Sequence, residues 1–84
     1  MNLKILSLDN FLKGVKKLHK SYKSISKDLK LLQEELKENP RSGMESGNNC
    51  YKIRLANSSV PTGKSGGFRV IYYYVDENLS LIHI

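Results

Sequence analysis

The hydrophobic residues of this chain repeat with two different periods. In the first half they recur every three or four positions, which places each set on one side of a helix. The two sets are Phe11, Val15, Leu18 and Tyr22, followed by Ile25, Leu29, Leu32 and Leu36. Because only a few residues separate the sets, we expect two helices that form an antiparallel hairpin. Leu18 and Leu32 lie near the centres of their stripes, so we expect both to be buried.

Short polar residues and one proline mark the expected ends of these helices. Asp9 is a candidate N-cap of the first helix, and Ser24 or Ser26 is a candidate N-cap of the second. Proline disfavours helical geometry at the residue before it, so the second helix should end before Pro40.

Alternation with a period of two predicts the strands. Leu3 and Ile5 alternate with polar neighbours and predict a short first strand. After Pro40 we expect three more strands, at residues 50–55, 68–75 and 79–84, with a turn at residues 76–78. The predicted order is β-α-α-β-β-β. This order corresponds to an α+β fold in which a two-helix hairpin packs on a four-stranded antiparallel sheet.

The length and composition limit the class of protein. With 84 residues, the chain should form one domain, residues 1–84, with a small core. It shows neither a signal-peptide pattern nor a run of about 20 apolar residues, so no membrane association is expected. The single cysteine, Cys50, cannot form an internal disulfide. We therefore expect a cytoplasmic protein.

The charge of the chain indicates an acidic partner. The net charge is +6 and the pI is about 9.6, which favours RNA, DNA, an anionic surface or an acidic protein. Surplus lysine that only keeps the protein soluble is the alternative. All three arginines lie after Pro40, and the planar guanidinium group suits bidentate contact with phosphate.

Three of the basic residues have the spacing of one strand face. Lys52 and Arg54 are two positions apart, so they should project together from the sheet. Arg69 shares a face of the next strand with Ile71 and Tyr73. If the two strands pair as an antiparallel hairpin, the three cations converge, and their mutual repulsion is relieved when an anion such as phosphate binds. The alternative is an ordinary solvated sheet face.

Other known types of site do not fit. The segment Gly63-Lys64-Ser65 is not a nucleotide-binding loop, because Ser58 stands where that loop needs glycine and a strand follows instead of a helix. We interpret it as a flexible loop that brings Lys64 beside the basic face. His19, His83 and Cys50 form no metal-ligand pattern, so we expect neither a metal ion nor another cofactor.

Residues 50–55 (CYKIRL), residues 67–73 (GFRVIYY) and the pair Asp76-Glu77 together resemble the RelE/ParE superfamily of bacterial type II toxins. Residues 63–67 (GKSGG) are similar to the HigB-like branch. The resemblance implies a ribosome-dependent, metal-independent mRNA endonuclease that inhibits translation and is held inactive by a cognate antitoxin.

The resemblance also implies roles for individual residues. In such toxins, basic residues at the positions of Lys52, Arg54 and Arg69 contact and activate the scissile phosphate. Lys64 and Tyr73 are expected to bind RNA, and Tyr73 could stack on a base or help to move a proton. We expect the antitoxin to cover the basic face and to pair with an open, apolar edge at residues 79–84.

Two alternatives remain open at this point. The nucleases of this superfamily continue past the last strand into a tail with a further basic residue and a tyrosine or other acid–base group, and this sequence ends at Ile84. The chain could therefore be a non-catalytic or truncated module that binds an antitoxin. The gyrase-directed ParE branch shares the same fold, so the fold alone does not separate these functions.

Overall fold

The computed structural model describes residues 3–55 and 67–84. Its helices are α1 (Asp9–His19) and α2 (Ile25–Glu38). Its strands are β1 (Lys4–Ser7), β2 (Met44–Gly47), β3 (Cys50–Leu55), β4 (Phe68–Val75) and β5 (Asn78–His83). The predicted α+β class and the helix hairpin are confirmed, and the sheet has one more strand than predicted.

The two helices bury the stripes that their sequence period indicates. All four apolar residues of the α2 stripe are buried, and Leu32 is only 3% exposed. In α1, Phe11 is buried, whereas Val15 and Leu18 pack against the core and remain partly exposed. The prediction for Leu32 is therefore confirmed, and the prediction for Leu18 holds only in part. The second helix supplies most of the helical contribution to the core.

The helix starts agree only in part with the predicted caps. Ser24 occupies the N-cap position of α2. The prediction for α1 is wrong by one residue, because Leu8 occupies the N-cap position and Asp9 is the first helical residue. A carboxylate in the first turn still interacts favourably with the positive end of the helix dipole.

The sheet is mixed, with the order β1-β5-β4-β3-β2. β3, β4 and β5 form the predicted antiparallel series, whereas β1 pairs with β5 in parallel. The additional strand, β2, forms a hairpin with β3 through Asn48 and Asn49, whose φ angles are 52° and 63°. Two central residues with positive φ are typical of a tight type I′ hairpin turn, which asparagine tolerates.

The last strand does not form an open edge, which corrects the prediction for residues 79–84. β5 lies between β1 and β4, and Leu79 and Leu81 are completely buried. Among the described residues, the edge strands are β1 and β2. An antitoxin therefore cannot add a strand beside β5 without displacing β1.

A buried tyrosine joins the end of the helix hairpin to the sheet. The Tyr72 hydroxyl donates a hydrogen bond to the carbonyl oxygen of Pro40 at 2.8 Å and accepts one from the Gly43 N–H at 3.1 Å. The ring stacks on that of Tyr51, with 5.2 Å between centroids. A Cβ atom at Gly43 would lie 2.9 Å from this hydroxyl. These contacts hold the segment that leads from α2 into β2.

We expect Tyr72→Phe to lower the free energy of unfolding by about 1–3 kcal/mol, because the carbonyl of Pro40 and the N–H of Gly43 lose their buried partner. Burial raises the pKa of Tyr72 above its ordinary value of 10.0, and the hydrogen bond from Gly43 opposes part of this rise. The protonated phenol therefore contributes stability below pH 10, and this contribution is lost as the pH rises through the folded-state pKa.

Denaturant unfolding of both proteins between pH 7 and pH 11 measures this effect. The stability difference between parent and Tyr72→Phe should be constant up to about pH 10 and should shrink above it. Tyr73→Phe is the matched control, because Tyr73 lies on the opposite face of β4 and is only partly buried. Equal stabilities of parent and Tyr72→Phe at neutral pH would contradict the assigned role.

Candidate functional site

The strand register places three basic side chains on one face of the sheet. Arg54 of β3 pairs directly with Arg69 of β4, and Lys52 pairs with Ile71. Side chains of directly opposed residues project from the same face with Cβ atoms about 4.5–5.5 Å apart. All three cations are exposed. We call this surface, formed by Lys52, Arg54 and Arg69, the basic face.

The pairing of Arg54 with Arg69 is electrostatically unfavourable by itself. Like charges directly opposite each other across two strands destabilise a sheet. Each guanidinium presents a fixed fork of donors that matches the oxygens of a phosphate. An anion between the two arginines would relieve the repulsion and satisfy both forks.

A small depression lies beside the basic face. It has a volume of about 200 Å³ and is lined by Met44, Lys52, Ile53, Arg54 and Arg69. A larger groove of about 530 Å³ runs between α2 and β3, and its lining includes Leu31, Leu32, Ile53, Asp28 and Glu35. Arg54 also lines the larger groove, but the exposed carboxylate of Glu35 there would repel a phosphate. The smaller depression has three cations and no carboxylate in its lining, so it is the candidate phosphate site.

Two residues on this face were not identified from the sequence. Met44 pairs with Lys52 and is 78% exposed, although its side chain is apolar. It was missed because residues 44–47 lack the alternation that marks a strand. Asn48 and Asn49 are consecutive, and two asparagines in a row favour a tight hairpin turn. Such a turn directly before residues 50–55 was the signal that could have identified the strand that contains Met44.

The second missed residue is His83, which pairs with Ile71 and is exposed. Simple alternation from Leu79 and Leu81 would put His83 on the core side. An irregularity in the pairing of β4 with β5, between Ile71 and Tyr72, shifts the register and puts His83 on the opposite face. The next residue, Ile84, lies against α1, where a Cβ at Gly14 would be 2.7 Å from its Cγ2 atom. His83 is therefore on the face of the sheet away from the helices, in the same row as Lys52.

Tyr73 lies on the same face but not beside Arg69. It pairs with Cys50 of β3 and Ser80 of β5. It lies four positions after Arg69, which corresponds to about 13 Å along a strand. Tyr73 is thus a neighbour of Lys52 and is too distant to share one phosphate with Arg69. Lys64, the other expected RNA-binding residue, lies outside the described residues.

Within residues 3–55 and 67–84, no group of three or more histidine, cysteine, aspartate or glutamate side chains is placed to hold a metal ion. In the same parts of the chain, no helix is both long and apolar enough to span a membrane.

The structure is similar to that of a known bacterial toxin. No family model matches the sequence, and no curated protein does. Among solved structures, E. coli toxin RelE in the free state, a mutant with two arginines replaced by alanine, matches with a TM-score of 0.70. The two chains are 26% identical, and the match covers 99% of this chain and 81% of the other.

Proposed function

We propose that this chain, which has the fold of a RelE-like toxin, is a cytoplasmic toxin that cleaves mRNA on the ribosome without a metal ion. The fold agrees with the resemblance of residues 50–55 and 67–73 to the RelE/ParE superfamily. The observation that carries the proposal is the position of Lys52, Arg54 and Arg69 on one face, beside a depression that suits a phosphate.

RNA supplies its own nucleophile, the 2′-hydroxyl next to the scissile phosphate. Cleavage requires that this hydroxyl be aligned with the phosphorus, that its proton be removed, and that the leaving 5′-oxygen gain a proton. The phosphorane that forms carries additional negative charge. Fixed cations stabilise such a transition state most when they are already in place before the reaction. Arg54 and Arg69 supply this charge in our proposal.

Lys52 and His83 occupy the same row of the sheet, with Ile71 between them. At about 4.8 Å between neighbouring strands, their backbones are about 10 Å apart. A phosphate bound over Ile71 could contact both side chains. We assign a further positive charge to Lys52. We assign proton transfer to His83, because an imidazole side chain can accept a proton at one nitrogen and donate one from the other.

The remaining residues of the face would contact the rest of the RNA. Tyr73 is one row away from Lys52 and could stack on a base of the adjacent nucleotide. Met44 offers a flexible apolar side chain next to Lys52 and could pack on a base from the other side. Lys64 would add a phosphate contact without a role in the chemical step.

The antitoxin would act by covering the same surface. An acidic segment would neutralise the basic face, and an apolar side chain of that segment would cover the exposed thioether of Met44. Such a segment would exclude mRNA by occupying its site.

A second candidate function is a binding module that does not cut RNA. The groove between α2 and β3 favours it, because the exposed side chains of Leu31 and Glu35 there suit a protein segment better than a nucleic acid. A toxin directed at gyrase would also use the fold to bind a protein.

Induced expression of the chain, with and without the product of the neighbouring reading frame, tests the proposal. We expect growth arrest, loss of translation and mRNA cleavage within coding regions, all suppressed by the neighbouring protein. Arrest accompanied by DNA damage and intact mRNA would identify a gyrase-directed toxin. Absence of arrest together with tight binding of the neighbouring protein would identify a binding module.

A further inference from the structure

The outer side of the helix hairpin carries a dense group of lysines. Seven exposed lysines lie between residues 13 and 30, namely Lys13, Lys16, Lys17, Lys20, Lys23, Lys27 and Lys30. The only acid in that range is Asp28, which is buried. The rest of α2 is different, because residues 31–38 contain three glutamates and one lysine.

This segregation of charge is not what solubility alone requires. Like charges three or four positions apart on a helix repel each other and destabilise it. Lys13 and Lys17 have this spacing, as do Lys16 and Lys20. Lysines that served only for solubility would be less costly if they were interspersed with acids. The clustering therefore indicates a partner that supplies negative charge.

The connection between the helices lies at the same end of the sheet as the basic face. The ring of Tyr22, which lies between α1 and α2, packs edge-on against the ring of Phe68, with 5.3 Å between centroids. Phe68 immediately precedes Arg69 and pairs with Leu55, the residue after Arg54. The lysines around Tyr22 and the arginines of the basic face thus lie on two sides of one end of the molecule.

We propose that Lys16, Lys17, Lys20, Lys23 and Lys27, which we call the lysine turn, form a second phosphate-binding surface for the backbone of an RNA. This inference rests on the proposed function, since both require an RNA partner. The basic face holds the strand that is cut, and the lysine turn holds phosphates of a neighbouring part of the RNA. Lysine on a mobile stem is a point charge that suits such sequence-independent contacts.

Two double variants that lose the same net charge distinguish RNA binding by the lysine turn from a general effect of the protein's net charge. Lys20→Gln with Lys23→Gln removes two cations of the lysine turn. Lys4→Gln with Lys37→Gln removes two exposed cations elsewhere, and both variants lower the net charge from +6 to +4. All four side chains are exposed, and only Lys37 lies within a helix, where glutamine has about the same propensity as lysine, so the fold should be unaffected.

The probe is a fluorescent 20-nucleotide single-stranded RNA, and anisotropy is measured at several salt concentrations. For the lysine-turn variant, we expect the slope of log K against log salt to become shallower by about 1.4, that is, by about 0.7 for each lost contact. For the control variant, we expect a change of less than half that size. A parallel titration uses vesicles that contain phosphatidylglycerol.

Equal slopes for the two variants would overturn the inference and would leave the proposed nuclease function intact. Binding of the parent to the vesicles but not to RNA would also overturn it and would assign the lysines to an anionic membrane surface. A shallower slope of log K against log salt in the lysine-turn variant, but not in the control variant, supports the inference. If the lysine-turn variant showed this weaker salt dependence but the parent protein did not cleave RNA, the proposed nuclease function would be wrong. The assignment of the lysine turn as a phosphate-binding surface would still hold.

Discussion

Replacing Arg69 with alanine is expected to abolish RNA cleavage and growth arrest while leaving the fold intact. Arg69 lies within β4, and its pairing with Arg54 fixes its backbone. A charge that is already positioned stabilises the transition state without further reorganisation. Loss of one such donor typically costs about 2.7–4 kcal/mol, which corresponds to roughly a hundred- to thousand-fold in rate.

The stability of the Arg69→Ala protein distinguishes this result from simple misfolding. Arg69 is exposed and faces another arginine, so its removal also relieves a repulsion. The free energy of unfolding should therefore be unchanged or higher by a few tenths of a kcal/mol. A protein that is as stable as the parent and yet inactive would identify a functional residue rather than a structural one.

Cleavage of a reporter mRNA in a translation reaction measures the effect, with antitoxin binding as a second readout. Lys64→Ala is the comparison, because a lysine that only contacts phosphate should weaken RNA binding and reduce its salt dependence without abolishing cleavage. Both variants are compared with a parent protein that arrests growth when it is expressed. Equal activity of Arg69→Ala and that parent would remove Arg69 from the site and with it the main support for a nuclease.

A large effect on stability is expected at Leu32. Its side chain is 3% exposed and lies in the middle of the buried stripe of α2. Leu32→Ala should lower the free energy of unfolding by about 2–5 kcal/mol, because the substitution leaves a cavity in the core. For a domain of this size that is a large part of the total stability.

The neighbouring residue provides a matched control. Leu31 is 58% exposed on the same helix, so Leu31→Ala should change the stability by no more than about 0.5 kcal/mol. Leu18→Ala should fall between the two, because Leu18 is only partly buried. Urea denaturation followed by circular dichroism gives all three values. Similar losses for Leu31→Ala and Leu32→Ala would show that the assigned face of α2 is wrong.

The sequence alone predicted the features that depend on local periodicity. The apolar stripe of α2 follows from its three- and four-residue spacing, and every member of that stripe is buried. The opposed faces of β3 follow from alternation, because Tyr51 and Leu55 are buried whereas Lys52 and Arg54 are exposed. Side-chain direction in a helix or strand is set by the backbone period, so a short segment contains enough information.

The features that the sequence did not predict depend on pairing between distant segments. The parallel partner of β5 is β1, more than 70 residues earlier in the chain, and its place in the sheet removes the edge that was expected there. β2 is recognisable only through the hairpin that pairs it with β3. Hydrophobic periodicity identifies a strand but does not determine which other strand it pairs with.

The candidate site shows the same division. The sequence was sufficient to put Lys52 and Arg54 on one face, whereas the position of Arg54 opposite Arg69 required the register of β3 and β4. His83 reached this face only because the ladder between β4 and β5 shifts its register near Ile71. A shift of one residue reverses the face of every later side chain in a strand. That shift is set by how two strands and α1 pack together, so only the tertiary structure decided it.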